Sequence, residues 1–261
     1  EAIDGHWILR LAVERRVVPA STIRGELEAR CKAIEAEQGR KPGRKEKRDL
    51  KDEIVQTLMP RAFTKRSLHW LWLHPEERLL VVGAASTRGA EAVLQPIVDL
   101  MADLRHVMPI SPLHTALSPA AAMSEWLSTQ EPPEGFAIER ELELKDPGEE
   151  RSVVRYARHH LALEEIGQHI REGKLPTRLA MNWEDRLSFV LTDTMALKRL
   201  TLSEVDKAPP GEERFDADVA ITTGELGGLI AGLIEALGGE APPAMTVSGA
   251  VAGQMPEPVA A

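Results

Sequence analysis

Two apolar stripes of helical period, separated by Pro42-Gly43 and enclosed by strand-like runs, constrain the fold of this chain most. Ile23, Leu27, Cys31 and Ile34 recur at spacings of four, four and three, and Leu50, Ile54 and Leu58 at spacings of four, so each segment has one face to bury. Proline removes a backbone donor and disfavours helix at the residue before it, so Pro42-Gly43 must break the rod. The pattern predicts a helix capped by Ser21 or Thr22 and running to Gly39, then a second resuming near Arg44. The elbow is also where the charge reverses. Arg40, Lys41, Arg44, Lys45, Lys47, Arg48 and Lys51 stand against only Glu46 and Asp49, a local +5 in a chain of 261 residues and net charge −9. A dense basic cluster on an acidic body suits attraction of a polyanion at one surface, and a solvated, salt-bridged helix face is the plainer alternative. Just beyond, Phe63 stands among Arg61, Lys65 and Arg66. An aromatic in that company can wedge between bases, anchor a protein partner, or simply pack at a helix end.

The rest of the composition is that of an ordinary globular chain, 43% hydrophobic and 28% charged. No apolar run approaches the roughly 20 residues that span a bilayer, and the first residues lack a signal peptide's basic start, so a cytoplasmic protein without membrane contact is expected. The single cysteine, Cys31, has no partner for a disulfide or zinc site and reads as a helix-packing residue. The chain begins without Met, almost directly in a strand-like run, and an N-terminal segment ahead of it is expected.

In order, His6 to Val13 reads as a strand that the charged Glu14-Arg15-Arg16 ends. After the helical pair, Ser67 to Leu73 and Leu79 to Ala85 read as a hairpin, with Trp70 and Trp72 on one face. A helix follows from Ser86 to about His106, then a short strand Val107 to Ile110 and a short helix Ala120 to Thr129. Beyond the loop at Pro132-Pro133, strands Phe136 to Leu144 and Ser152 to Ala157 flank a turn at Asp146-Pro147-Gly148. A helix Ala162 to Glu172 and a meander of Leu175 to Trp183, Leu187 to Thr192 and Leu197 to Leu202 come next. Ala208 to Glu213 reads as a linker, Asp216 to Thr222 as a last strand and Gly224 to Leu237 as a last helix. The expected class is α+β: antiparallel sheets with packed helices and a projecting basic helical arm. Residues 1–18 and 67–130 would form a central α+β domain, 19–66 the arm, 131–240 a second α+β domain, and 241–261 a disordered tail.

Motifs for catalysis are sparse. Gly224, Gly227 and Gly228 lack dinucleotide or Walker spacing, and GxSxG, HExxH and paired CxxC are missing. The best enzymatic candidate is a metal-dependent nuclease. On a strand, Asp216 and Asp218 would share a face and could hold Mg²⁺, with Glu164, Glu165, His159, His160 or His169 recruited beside them. Such residues are more commonly solvent-facing, so neither a metal nor a catalytic residue is assigned.

Four segments carry a resemblance that composition cannot supply: LEARCKAIEAEQGRKPGRKEKRDLKDEIVQTLMPRAFTKRS, EEIGQHIREGKLPTRLAMNWEDRLSFVL, LKRL, and RFDADVAITTGELGGLIAGLIEALGGE. In this order, and from residue 1 to about Glu240, the chain resembles the bacterial recombination-associated RdgC family; the PRAF and FDAD…TGEL…LIEALGGE blocks are its specific marks. The resemblance implies a nucleoid-associated protein that binds double-stranded DNA with little sequence preference and limits access of the RecA recombinase. It implies a homodimer closed into a ring around the duplex. It places the DNA-facing role on Arg40, Lys41, Arg44, Lys45, Lys47, Arg48 and Lys51, to which the basic company of Phe63 adds Lys65 and Arg66. It sets Arg61 and Phe63 at the arm's tip as a dimer contact. Pro42-Gly43 departs from the uninterrupted helix expected there, and Arg158-His159-His160 from a more basic and polar pairing. The expectation is therefore a DNA-encircling protein without cofactor or catalysis, with a metal-dependent DNA exonuclease as the alternative and a scaffold that binds protein through Phe63 as a third reading.

Overall fold

The computed structural model describes residues 2–3, 5–148, 151–162, 164–203 and 214–241. The linker expected at 208–213 and all but the first residue of the tail expected from Ala241 lie outside them. The chain divides into two compact units, Glu1–Leu100 and Met101–Ala261. The class is α+β, with two antiparallel sheets and six α-helices among the described residues.

The first unit carries a four-stranded sheet in the order β1 (Ala2–Ile3), β2 (His6–Val17), β3 (Phe63–His74), β4 (Leu79–Val82). β2 and β3 pair without interruption from Trp7↔Leu73 to Val17↔Phe63, whereas β4 covers only Leu71 to His74. The sheet therefore narrows to a two-stranded ribbon over residues 10–17 and 63–70. This decides the fate of the two tryptophans that share a face. Trp72 lies against β4 and is 6% exposed, while Trp70, beyond the end of β4, is 47% exposed with the Arg10 guanidinium 5.5 Å from its ring centre.

Inserted between β2 and β3 are α1 (Ala20–Gln38) and α2 (Arg44–Leu58), followed by a 3-10 turn at Met59–Arg61. Pro19 precedes α1 without a side-chain cap, so neither Ser21 nor Thr22 caps it. Gly39 ends α1 in the left-handed region, donating its N–H to the Glu35 carbonyl at 2.9 Å. The helices run antiparallel: Arg30 meets Glu53 at 2.8 Å, and the expected stripes, Ile23, Leu27, Cys31 and Ile34 on α1 and Leu50, Ile54 and Leu58 on α2, are the half-buried or buried positions. Ile54, 1% exposed, is the one fully buried residue of α2.

The remaining helix of this region, α3 (Thr87–Asp103), buries Val93. The short strand expected at Val107 to Ile110 is irregular chain. In the second unit α4 (Pro119–Thr129), capped by Ser118, precedes a sheet of β5 (Phe136–Lys145), β6 (Val153–Ala157), β7 (Leu175–Trp183), β8 (Leu187–Thr192) and β9 (Leu197–Leu202), in the order β6-β5-β7-β8-β9. The expected hairpin and meander are present. One sheet face, with Leu142, Leu144, Leu179, Met181, Phe189 and Leu191, is buried in a core that also takes in residues of α4, α5 (Glu164–Arg171) and α6 (Arg214–Ala236).

Two expectations fail at α6. Asp216 to Thr222 is no strand but the first half of this helix; the Thr223 hydroxyl donates to the Val219 carbonyl at 2.8 Å, as in a continuous helical turn. Nor is an apolar run of spanning length missing, since Phe215–Ala236 is long and apolar enough by length and composition to cross a membrane. Only 17% of that apolar window is buried, and the buried part packs on the second sheet. Leu229 and Leu233 are buried in the core of the second unit, and a Cβ added at Gly228 would lie 2.6 Å from the Trp183 ring.

Candidate nucleic-acid interface

The helical pair presents its cations in two states. At the loop, Arg40 donates two hydrogen bonds to Glu46, at 2.7 and 3.1 Å, and Glu46 also accepts from the Gly43 N–H at 3.3 Å, so one carboxylate both caps α2 and ties down the arginine. The bond from Arg40 holds the Glu46 carboxyl below its ordinary range, and Glu46 in turn raises Arg40. Lys41 lies 3.8 Å from Glu35. Arg40 and Lys41 are thus partly spent inside the molecule.

Along α2, Arg44, Lys45, Lys47, Arg48 and Lys51 are exposed and make no ion pair among the described residues. At 100° per residue, Arg44, Arg48 and Lys51 fall on one flank within about 60°, with Lys45 farther round. Lys47 stands seven residues before Ile54, on the packing side, and is nevertheless exposed.

Phe63, Lys65 and Arg66 open β3, and Arg61 lies in the turn before it, so all four sit where the helices leave the ribbon, at the opposite end of the pair from the Gly39 to Gly43 loop. Antiparallel pairing of the helices puts them there. Phe63 is 88% exposed beside its cross-strand partner Val17. The register brings in three cations that the sequence reading passed over: Arg15 opposite Lys65, Arg16 opposite Thr64, and Arg10 opposite Trp70. The sequence shows Glu14-Arg15-Arg16 as a charged run, but only the register sets it opposite Thr64, Lys65 and Arg66.

The second unit treats its cations differently. On β5, Glu143 meets Arg155 at 2.7 Å and Arg178 at 3.9 Å, and Glu141 makes a bidentate pair with Arg199. The Arg199 bond holds Glu141 below the ordinary range; Glu143 is also lowered, burial opposing and the Arg155 and Thr177 bonds prevailing. These arginines are committed to carboxylates. Charge divides accordingly: residues 1–100 contain 18 Lys and Arg against 15 Asp and Glu, a net +3, leaving 14 against 26, a net −12, for residues 101–261.

The residues considered for metal chemistry do not converge. On a helix, positions two apart point about 200° from each other, so Asp216 and Asp218 lose the shared face that a strand would have provided. Glu164 and Glu165 open α5. His169 lies 3.8 Å from Glu165 and 3.7 Å from Glu172, while His159 and His160 are exposed in the loop before that helix. Among the described residues no group of three His, Cys, Asp or Glu side chains could hold a metal ion.

Comparison with known proteins bears on this geometry. A family model described as "Putative exonuclease, RdgC" matches residues 1–240. The recombination-associated protein RdgC of Dechloromonas aromatica is 42% identical over 248 residues, 92% of this chain and 80% of that protein. The protein of the same name from Cupriavidus pinatubonensis is 41% identical over 245 residues, covering 92% and 81%, and that of Bordetella pertussis 36% over 244, covering 91% and 80%. With the match running through the helical pair, both sheets and α6, the chain belongs to the RdgC family of recombination-associated proteins.

Proposed function

We propose that this chain binds double-stranded DNA through its sugar–phosphate backbone, without sequence preference and without catalysis. One observation carries the reading: five cations of α2 are exposed and free of carboxylate partners, on a chain whose other charge is predominantly acidic. Arg and Lys offered to phosphates position a duplex, and base edges are not addressed by such a set. Arg40, Lys41, Lys65 and Arg66 contribute at the two ends of the helical pair. As a homodimer closed into a ring, with Arg61 and Phe63 at a contact between copies, two basic helical arms would face an enclosed duplex and the acidic surface would face away from it. Such a protein, in the cytoplasm and on the nucleoid, would limit access of RecA to DNA by occupancy, needing no cofactor.

Replacing Arg44, Arg48 and Lys51 together by Gln tests this directly. Each phosphate contact contributes about 0.9 to the slope of log affinity against log salt, so the triple variant is expected to flatten that slope by roughly 2.7. An unchanged slope would remove α2 from the interface.

The second reading, a metal-dependent exonuclease, is favoured by the description of the family model. End-labelled duplex incubated with the protein and Mg²⁺ separates the two: full-length DNA is expected, and shortening from the ends would establish the nuclease.

A further inference from the structure

Arg15 and Lys65 stand directly opposite each other on the two-stranded ribbon, so their side chains share a face. Directly opposed residues hold their Cβ atoms about 5 Å apart, and like charges in that position destabilise a strand pair. The neighbouring rungs relieve no charge on this face. Val13 with Ser67 lies on one side and Val17 with Phe63 on the other. Both cations are exposed, and neither makes an ion pair among the described residues. The other face of the ribbon shows the complementary arrangement. There Glu14 opposes Arg66 and meets it at 3.8 Å, and Arg16, opposite Thr64, donates to the Pro60 carbonyl at 3.5 Å. The uncompensated rung is therefore confined to one face, and the compound that would relieve it is an anion held between two cationic side chains.

We propose that Arg15 and Lys65 clamp one phosphate of a DNA duplex, so that the ribbon continues the phosphate track that begins on α2. The inference rests on the duplex binding proposed above. Only the 3-10 turn at Met59–Arg61 and the start of β3 separate Leu58, the last residue of α2, from Lys65, so the clamp adjoins in the chain the helix that carries the other exposed cations. Arg supplies a forked donor and Lys a point charge, and the two together can bracket a phosphate without reading a base.

The test measures affinity for two unrelated duplexes over a salt series. The Arg15→Gln, Lys65→Gln variant is expected to flatten the log–log slope by roughly 1.8 and to weaken binding about 60-fold at 0.1 M salt, equally on both sequences, with each single variant giving half the change in slope. Its thermal midpoint is expected to equal or exceed that of the parent, because an internal repulsion has been removed. Arg88→Gln with Lys145→Gln, two exposed cations on other elements, controls for loss of charge alone. A parent protein that fails to bind either duplex at low salt would overturn duplex binding itself. Binding by the parent with an unchanged slope in the double variant would overturn the clamp alone, as would an equal loss in the control pair. Inorganic phosphate, titrated at constant ionic strength, distinguishes a site for the free ion: stabilisation of the parent but not of the double variant, with duplex binding unaltered, would also overturn the proposal.

Discussion

Glu46 shows how a single carboxylate sets the number of available cations. It caps α2 through the Gly43 N–H and holds Arg40 by two hydrogen bonds. Glu46→Gln keeps a carbonyl oxygen for the cap but surrenders the charge, so Arg40 is released; the variant is expected to bind duplex more tightly, with a slope steeper by roughly one unit. The same event can be driven by acid. Because the folded state depresses the Glu46 pKa, the pair contributes above the ordinary carboxylate range and is lost as pH falls through the depressed value. The carboxyl resonance of Glu46, followed by NMR, is expected to titrate below that of a free glutamate, and an ordinary value would show that the pair does not persist in solution. Phe63 is a separate case. An aromatic 88% exposed on a ribbon is suited to fill a pocket on another copy, so Phe63→Ala is expected to weaken dimerisation in sedimentation more than it weakens DNA affinity. The reverse outcome would give Phe63 to the DNA.

Among the elements, the helical pair is held by little. α1 buries no residue fully and α2 only Ile54, so Ile54→Ala, at a cost of about 2–5 kcal/mol, is expected to open the pair while leaving the second unit intact. Amide hydrogen exchange that rises across residues 20–58 alone would show this local opening. The opposite change, Gly228→Ala, drives a methyl into the Trp183 ring, and a loss of about 1–3 kcal/mol is expected in denaturant unfolding. The helices, the β3–β4 hairpin and the meander were legible because each has a buried face and hence a period. The distal ribbon was not. Exposed on both faces, Glu14-Arg15-Arg16 and Phe63 to Arg66 show no apolar alternation, and they become strands because they pair with each other. At Asp216 to Thr222 the failure has a different source. DADVAIT alternates polar and apolar residues over too short a span to tell period two from a helix, and burial of Thr223, Leu229 and Leu233 in one continuous helix decides the matter. Of the candidate site, the cations of α2 were readable from composition, whereas Arg15 was visible only through register.

Over the whole molecule, residues 1–100 carry net +3 and residues 101–261 net −12, a balance that would attract a polyanion such as a duplex at one region and oppose it elsewhere. On the proposed reading, closure of two copies around DNA would turn that conflict into an arrangement in which the contacts need only hold a duplex already enclosed. If recombination is limited by such coverage, inhibition of RecA-driven strand exchange is expected to rise in proportion to the DNA occupied, on any sequence, and to fade as salt is raised. No divalent ion should be required of this protein. The Asp216→Asn, Asp218→Asn variant, checked by circular dichroism to be folded, is expected to inhibit as the parent does, because on α6 those carboxylates share no face and coverage calls on neither. Titration of both proteins into strand exchange on two unrelated duplexes decides between the mechanisms. Inhibition that tracks occupancy in both supports coverage; inhibition that persists well below saturation, shortens the DNA with Mg²⁺ and disappears in the double variant would transfer the activity to a nuclease.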